Sequence, residues 1–114
     1  MKKVISTTKA PSAIGPYSQA IQTGNMIFTS GQVAINPESG ELVMDSIQTE
    51  THQVMKNLSA VLAEAGTDFS KVVKTSIFLK NMDDFANVNE IYASYFSSDF
   101  PARETVQVAK LPKD

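Results

Sequence analysis

No cysteine occurs in the chain, which rules out disulfides and thiol chemistry and fits a reducing compartment. His52 is the only histidine. With no thiolate and no second imidazole, a zinc site would need carboxylates around one ring, so no metal is expected. Ten Lys and Arg stand against twelve acids, a net charge of −2 with no basic cluster, which argues against nucleic acid held by phosphate contacts. Lys2 and Lys3 are not followed by a long apolar run. Neither a signal peptide nor a membrane helix is therefore expected, and the cytoplasm is the expected location. The 114 residues suit one domain over 1–114, enough for a core but leaving much surface wet, so a subunit interface would add burial.

What is present reads as alternating strands and helices. Val4-Ile5 is a brief apolar pair, expected as an edge strand. Ser18 to Thr23 and Met26 to Gln32 read as two strands around Gly24-Asn25, a hairpin signal. Gly31 predicts a bulge or a point where another group nears the backbone. Asp45 with Gln48 predicts a capping box for a helix whose apolar stripe runs Ile47, Thr51, Val54, Leu58, Val61, Leu62, Ala65 and which Gly66 ends. His52 falls at the stripe's edge, as a surface residue. Val72 to Lys80 reads as a central strand covered on one face. Asn81 is expected to cap a second helix with Phe85, Val88, Tyr92, Tyr95 and Phe96 on its buried side, and Asn89 at the border of that stripe. The order β, ββ, α, β, α, β predicts an α+β fold with two helices on one face of a mixed sheet.

The last strand carries the most pointed chemistry. Pro101 stiffens its start and Pro112 ends it. Alternation sends Arg103, Thr105 and Gln107 one way and Glu104, Val106 and Val108 the other. Arg103 is either a fork for a carboxylate or an ordinary solvated strand-end arginine. Tyr17, presented by the stiff Gly15-Pro16 turn, either caps the core edge or lines a pocket. Ser30 as a nucleophile would have only His52 as a base, so its hydroxyl and the neighbouring N–H groups are read instead as hydrogen-bonding a ligand.

Several segments together resemble the Rid (YjgF) family of reactive intermediate deaminases. They are Ala13-Ile14-Gly15-Pro16-Tyr17-Ser18-Gln19-Ala20, Thr29-Ser30-Gly31-Gln32, Asn57-Leu58 with Ala65-Gly66, Val73-Lys74-Thr75, Met82-Asp83-Asp84-Phe85 with Val88-Asn89, and Pro101-Ala102-Arg103 through Val108-Ala109-Lys110-Leu111-Pro112-Lys113-Asp114. The resemblance implies a chorismate-mutase-like α+β fold and a homotrimer with sites in clefts between subunits. It also implies hydrolysis of 2-imino and enamine acids, such as 2-aminoacrylate and 2-iminobutyrate, to 2-oxo acids and ammonia, without a cofactor. Arg103 would hold the substrate carboxylate, Tyr17 would line the pocket, Ser30 and Gly31 would flank it, and Asn89 would lie in or near it.

Two departures stand out. Family members commonly place a small pair such as Ser-Cys after the arginine, where this chain has Glu104-Thr105. Thr105 shares the Arg103 face and puts a shorter-reach hydroxyl where the cysteine would be. Glu104 is expected to point away, unless broken alternation lets it pair with Arg103. Members also continue into a further strand with a glutamate that orients the attacking water. The sequence here stops at Asp114, so that strand is expected to be missing, leaving weak hydrolysis or a site that only binds. A carboxylate-binding regulatory trimer is thus the alternative function, and an endoribonuclease or translation inhibitor the least favoured on charge.

Overall fold

A computed structural model describes residues 1–113, so the expectation of a strand missing after Asp114 lies outside the described residues. The elements run β1 (Lys2–Ile5), β2 (Ala20–Thr23), β3 (Met26–Thr29), α1 (Ile47–Glu64), β4 (Lys74–Leu79), α2 (Phe85–Ala93) and β5 (Ala102–Gln107). Short 3-10 turns at Phe69–Lys71 and Met82–Asp84 precede β4 and α2. β1, β2 and β3 form an antiparallel ladder, while β4 and β5 pair in parallel. A parallel pair needs a crossover, and α2 supplies it. The α+β class and the mixture of strand directions agree with expectation. Among the described residues, however, the strands lie in two separate ladders, and β4 pairs only with β5, so it is not a central strand.

Alternation decides what each strand buries. Ile5, Ala20 and Ile27 turn inward and pack with Val61, Ala60 and Ala65 of the α1 segment and with Ala10. Val4, Met26 and Phe28 turn outward and are exposed. The second ladder repeats the pattern: Thr75, Ile77 and Leu79 are covered, and Lys74, Ser76 and Phe78 are open. No helix among the described residues is long and apolar enough to cross a membrane.

Local chemistry sets the boundaries. The β2–β3 hairpin turns on Gly24-Asn25 as expected, with φ at Gly24 of +58°. β2 starts at Ala20 and not at Ser18, and just before it stands Gln19, whose side chain braces the preceding loop. It is buried, its Oε1 accepts from the Thr7 N–H at 2.6 Å, and its Nε2 donates to the Pro11 carbonyl at 2.7 Å. That one side chain pins the loop before β2. β3 stops at Thr29, so Gly31 lies outside any strand and is not a bulge.

α1 is capped one residue later than the capping-box pattern predicts. Ser46, in extended backbone, accepts from the Thr49 N–H at 3.0 Å, so Asp45 is not the cap. At the other end Gly66 takes φ +83°, and the Thr67 N–H reaches back to the Leu62 carbonyl at 2.9 Å. The predicted stripe missed Asn57, which is almost wholly buried. Its Nδ2 donates to the Val33 and Ile35 carbonyls at 3.1 and 2.9 Å, tying the long β3–α1 connection to the helix. Asn81 caps not α2 itself but the 3-10 turn that leads into it: its Oδ1 accepts from the Asp83 N–H at 2.8 Å, while Asp84 stands at the α2 N-cap with no side-chain cap bond.

Asn57→Ala strands two carbonyls and should cost about 2–3 kcal/mol in urea unfolding; an unchanged midpoint would show that the connection does not depend on this side chain. Gly66→Ala forces a Cβ into the left-handed region and should cost about 1 kcal/mol in the same measurement; a stabilised variant would contradict that reading of the helix end.

Candidate functional site

Arg103 projects from β5 towards α2, on the covered face of the parallel ladder. Phe85, Asn89 and Tyr92 of α2 fall four and three residues apart and so share one helix face. That face receives the guanidinium. Arg103 Nη1 donates to Asn89 Oδ1 at 2.8 Å, and the guanidinium carbon lies 5.6 Å from the Phe85 ring centre and 5.1 Å from that of Tyr92. The Tyr92 hydroxyl is in turn bonded to Thr75 Oγ1 at 2.7 Å, and Thr75 sits directly across the ladder from Arg103.

No carboxylate pairs with Arg103 among the described residues. Glu104, the nearest acid in sequence, follows strict alternation onto the open face, where it pairs with Lys74 and accepts from Ser76. The Lys74 hydrogen bond, with the one from Ser76, holds the Glu104 carboxyl below the usual carboxylate range. Both partners are half exposed, so the pair adds little stability. Thr105, two residues beyond Arg103 on the same face, keeps a buried Oγ1 with no hydrogen-bond partner among the described residues.

The other three residues predicted for the site gather around the end of β3. Gly15 at φ +118° and a Tyr17 N–H to Gly15 carbonyl bond of 2.9 Å make the turn that presents the exposed Tyr17 ring. Tyr17 therefore does not cap the core edge. The Ser30 N–H donates to the Gln19 carbonyl at 2.9 Å and its Oγ to the Ser18 carbonyl at 2.6 Å. Both Ser30 donors are thus engaged, and what the hydroxyl offers a ligand is its acceptor oxygen. Gly31 is exposed, and a Cβ built there meets nothing within 4 Å, so its backbone is open to an outside group.

The chain therefore assembles two groups: Arg103, Asn89 and Thr105 under α2, and Tyr17, Ser30 and Gly31 beside the first ladder. No hydrogen bond joins them among the described residues. Neither of two surface grooves, one along Asp68–Ser70 and Ser94–Asp99, the other between Ala34, Val54, Phe78 and Leu111, includes any of the six. A Ser30–His52 pair does not form: His52 Nδ1 is bonded to the Tyr95 hydroxyl at 2.8 Å, linking α1 to the segment after α2. Burial there raises the Tyr95 hydroxyl above the usual tyrosine value.

Sequence reasoning placed Phe85 and Tyr92 in the core and missed that they hold the arginine. Their spacing with Asn89 was visible, but the parallel register that sets Thr75 opposite Arg103 was not.

Comparison with known proteins bears on this arrangement. A family model described as Endoribonuclease L-PSP matches residues 7–114. A 2-iminobutanoate/2-iminopropanoate deaminase of Mus musculus is 54% identical over 113 residues, which are 99% of this chain and 84% of that protein. The crystal structure of YyfA, a Rid-family protein of Yersinia pestis, has a TM-score of 0.97 at 54% identity, covering 99% of this chain and 90% of that one. E. coli TdcF, solved with bound serine, has a TM-score of 0.94 at 39% identity, covering 98% and 90%. A match over nearly the whole chain, in both sequence and fold, makes this protein a member of the Rid (YjgF) family, the one described as Endoribonuclease L-PSP.

Proposed function

We propose that the protein hydrolyses small 2-imino and enamine acids to 2-oxo acids and ammonia. The observation that carries this reading is Arg103: a half-buried cation with no anionic partner among the described residues, held by an amide and two rings. Such a group gains most from a ligand that brings one carboxylate. The names of the relatives agree, since the mouse protein is called a 2-iminobutanoate/2-iminopropanoate deaminase and TdcF holds serine, itself an amino acid carboxylate.

The chemistry asks little more of the protein. Arg103 fixes the carboxylate and so orients the carbon–nitrogen double bond. The enamine first shifts to its imine tautomer. Water adds to the imine carbon and one of its protons passes to nitrogen, giving a carbinolamine; as the carbon–nitrogen bond then breaks, the remaining hydroxyl proton also passes to nitrogen, so ammonia leaves and the carbonyl forms. The Ser30 oxygen, as an acceptor, suits the attacking water or an N–H of the leaving group. Tyr17 and the open Gly31 backbone would close the pocket around the substrate, and the Thr105 hydroxyl completes the Arg103 side. Neither a metal nor an organic cofactor enters any of these steps.

The two residue groups would meet across subunits. Val4, Met26 and Phe28 on the first ladder and Phe78 and Val106 on the second are large apolar side chains left exposed. A surface of this kind is the usual mark of an interface, and a homotrimer joining Arg103 of one subunit to Tyr17 and Ser30 of the next accounts for both features.

A second reading, a trimer that binds carboxylate metabolites without turnover, draws on the lack of an Asp, Glu, His or Lys in either group of residues. The ribonuclease name attached to the family has the least physical support here, because a net charge of −2 offers no phosphate-binding stripe.

In an assay coupled to a serine or threonine dehydratase, the protein should speed oxo-acid release. Arg103→Ala should lose about 2–5 kcal/mol of that effect in kcat/KM. An undiminished mutant would refute the assignment, and binding of 2-oxobutanoate without acceleration would select the second reading. Phe78→Lys should turn trimer into monomer on a sizing column and lower activity at least about tenfold by separating the two groups; a fully active monomer would rule out a shared site.

A further inference from the structure

We propose that α2 carries a neutral cradle that positions Arg103 without discharging it, with Phe85, Asn89 and Tyr92 as its positioning residues and Thr75 as the tether that sets Tyr92. The inference rests on the reading of Arg103 as the carboxylate clamp and adds how the clamp is kept both ordered and charged.

A half-buried guanidinium must satisfy its N–H groups and lose its rotational freedom before it can meet a small ligand in one orientation. The cheapest solution in a folded protein is a facing carboxylate, because two parallel N–H···O bonds fix both position and plane. That solution also cancels the charge. Here each role of such a carboxylate is filled by an uncharged group. Asn89 Oδ1 takes one N–H at 2.8 Å. The Phe85 and Tyr92 rings restrain the guanidinium through their π faces, at 5.6 and 5.1 Å. The adjacent acid in sequence, Glu104, is turned to the far side of the strand and engaged by Lys74 and Ser76.

Tyr92 is itself fixed. It is buried, and its hydroxyl is bonded to Thr75 Oγ1 at 2.7 Å. Thr75 and Arg103 are partners on one rung of the β4–β5 ladder. The ring that restrains the cation is therefore keyed to the same rung that supplies it, so orientation is transmitted from backbone register to guanidinium. Asn89 in this account acts on Arg103, not on the substrate directly.

Asn89→Asp tests the neutrality of the cradle. It keeps the shape and the acceptor oxygen but adds the missing anion. The melting temperature should hold or rise, while the calorimetric affinity for 2-oxobutanoate should fall at least about tenfold at pH 7 and recover as the new carboxyl is protonated in acid. In the imine assay KM should rise more than kcat falls. Tyr92→Phe and Thr75→Val, both mild changes, should each raise KM about threefold, and the double variant should do no more than either alone, because both remove one tether.

An Asn89→Asp protein that binds 2-oxobutanoate like the wild type at pH 7 would overturn the neutral cradle, and unchanged KM in both tether variants would overturn the role of Thr75. If the wild type binds 2-oxobutanoate but does not hydrolyse imines, and Asn89→Asp abolishes binding, the proposed reaction fails while the cradle stands. If the wild type neither binds nor hydrolyses, both fail.

Discussion

A cation held without an anion is the constraint on which the rest of this structure depends. Charged side chains are rarely withdrawn from water unless paired, because desolvation is costly. Arg103 is withdrawn halfway and given only neutral company. The arrangement keeps an attractive field for a carboxylate and gives up the stability that an ion pair's hydrogen bonds would add. Glu104 shows the alternative next door: an acid and a lysine paired on the open face. Two adjacent residues of one strand thus meet opposite fates, and the two-residue period of the β-strand is all that separates them.

The fold supplies this economy through its second ladder. Because β4 and β5 run parallel, α2 must cross over them, and the crossover lays Phe85, Asn89 and Tyr92 above Arg103. The first ladder and α1 do a different job. They build the core around Val61 and hold two loops in place with buried amides, Gln19 for the loop before β2 and Asn57 for the connection after β3. Tyr17 lies in the first of those loops and the second follows Ser30 and Gly31, while Ser30 itself is held at the end of β3 by the Gln19 and Ser18 carbonyls. The two groups share a chain but no hydrogen bond among the described residues.

Much of this was legible in the residues, and the limits are physical. Period-two alternation in the last strand correctly separated Arg103 and Thr105 from Glu104 and Val106. Three- and four-residue spacing marked both helices, Gly66 gave the end of α1, and Asn81 gave the start of the turn that leads into α2. The α1 start was displaced by one residue because a serine and an aspartate stand side by side and either can cap; the backbone gave the place to Ser46. Strand ends were overrun at Ser18-Gln19 and from Ser30 to Gln32, which lie outside β2 and β3. Of the two readings of Gly31, a bulge or an approachable backbone, the bulge is ruled out because β3 ends at Thr29, while the open backbone suits the other. Asn57 was hidden because a buried amide interrupts no apolar pattern. The register of β4 against β5 depends on contacts 28 residues apart, as between Thr75 and Arg103, so the aromatic hold on the arginine had no local signature.

The central claim is that Arg103 keeps its charge for the carboxylate of a small ligand. Calorimetric titration with 2-oxobutanoate and, separately, with its uncharged amide 2-oxobutanamide tests it most directly, since the two differ only in the group that the guanidinium is said to grip. The account predicts that the acid binds and that the amide binds at least about tenfold more weakly. Equal binding of the two would contradict it.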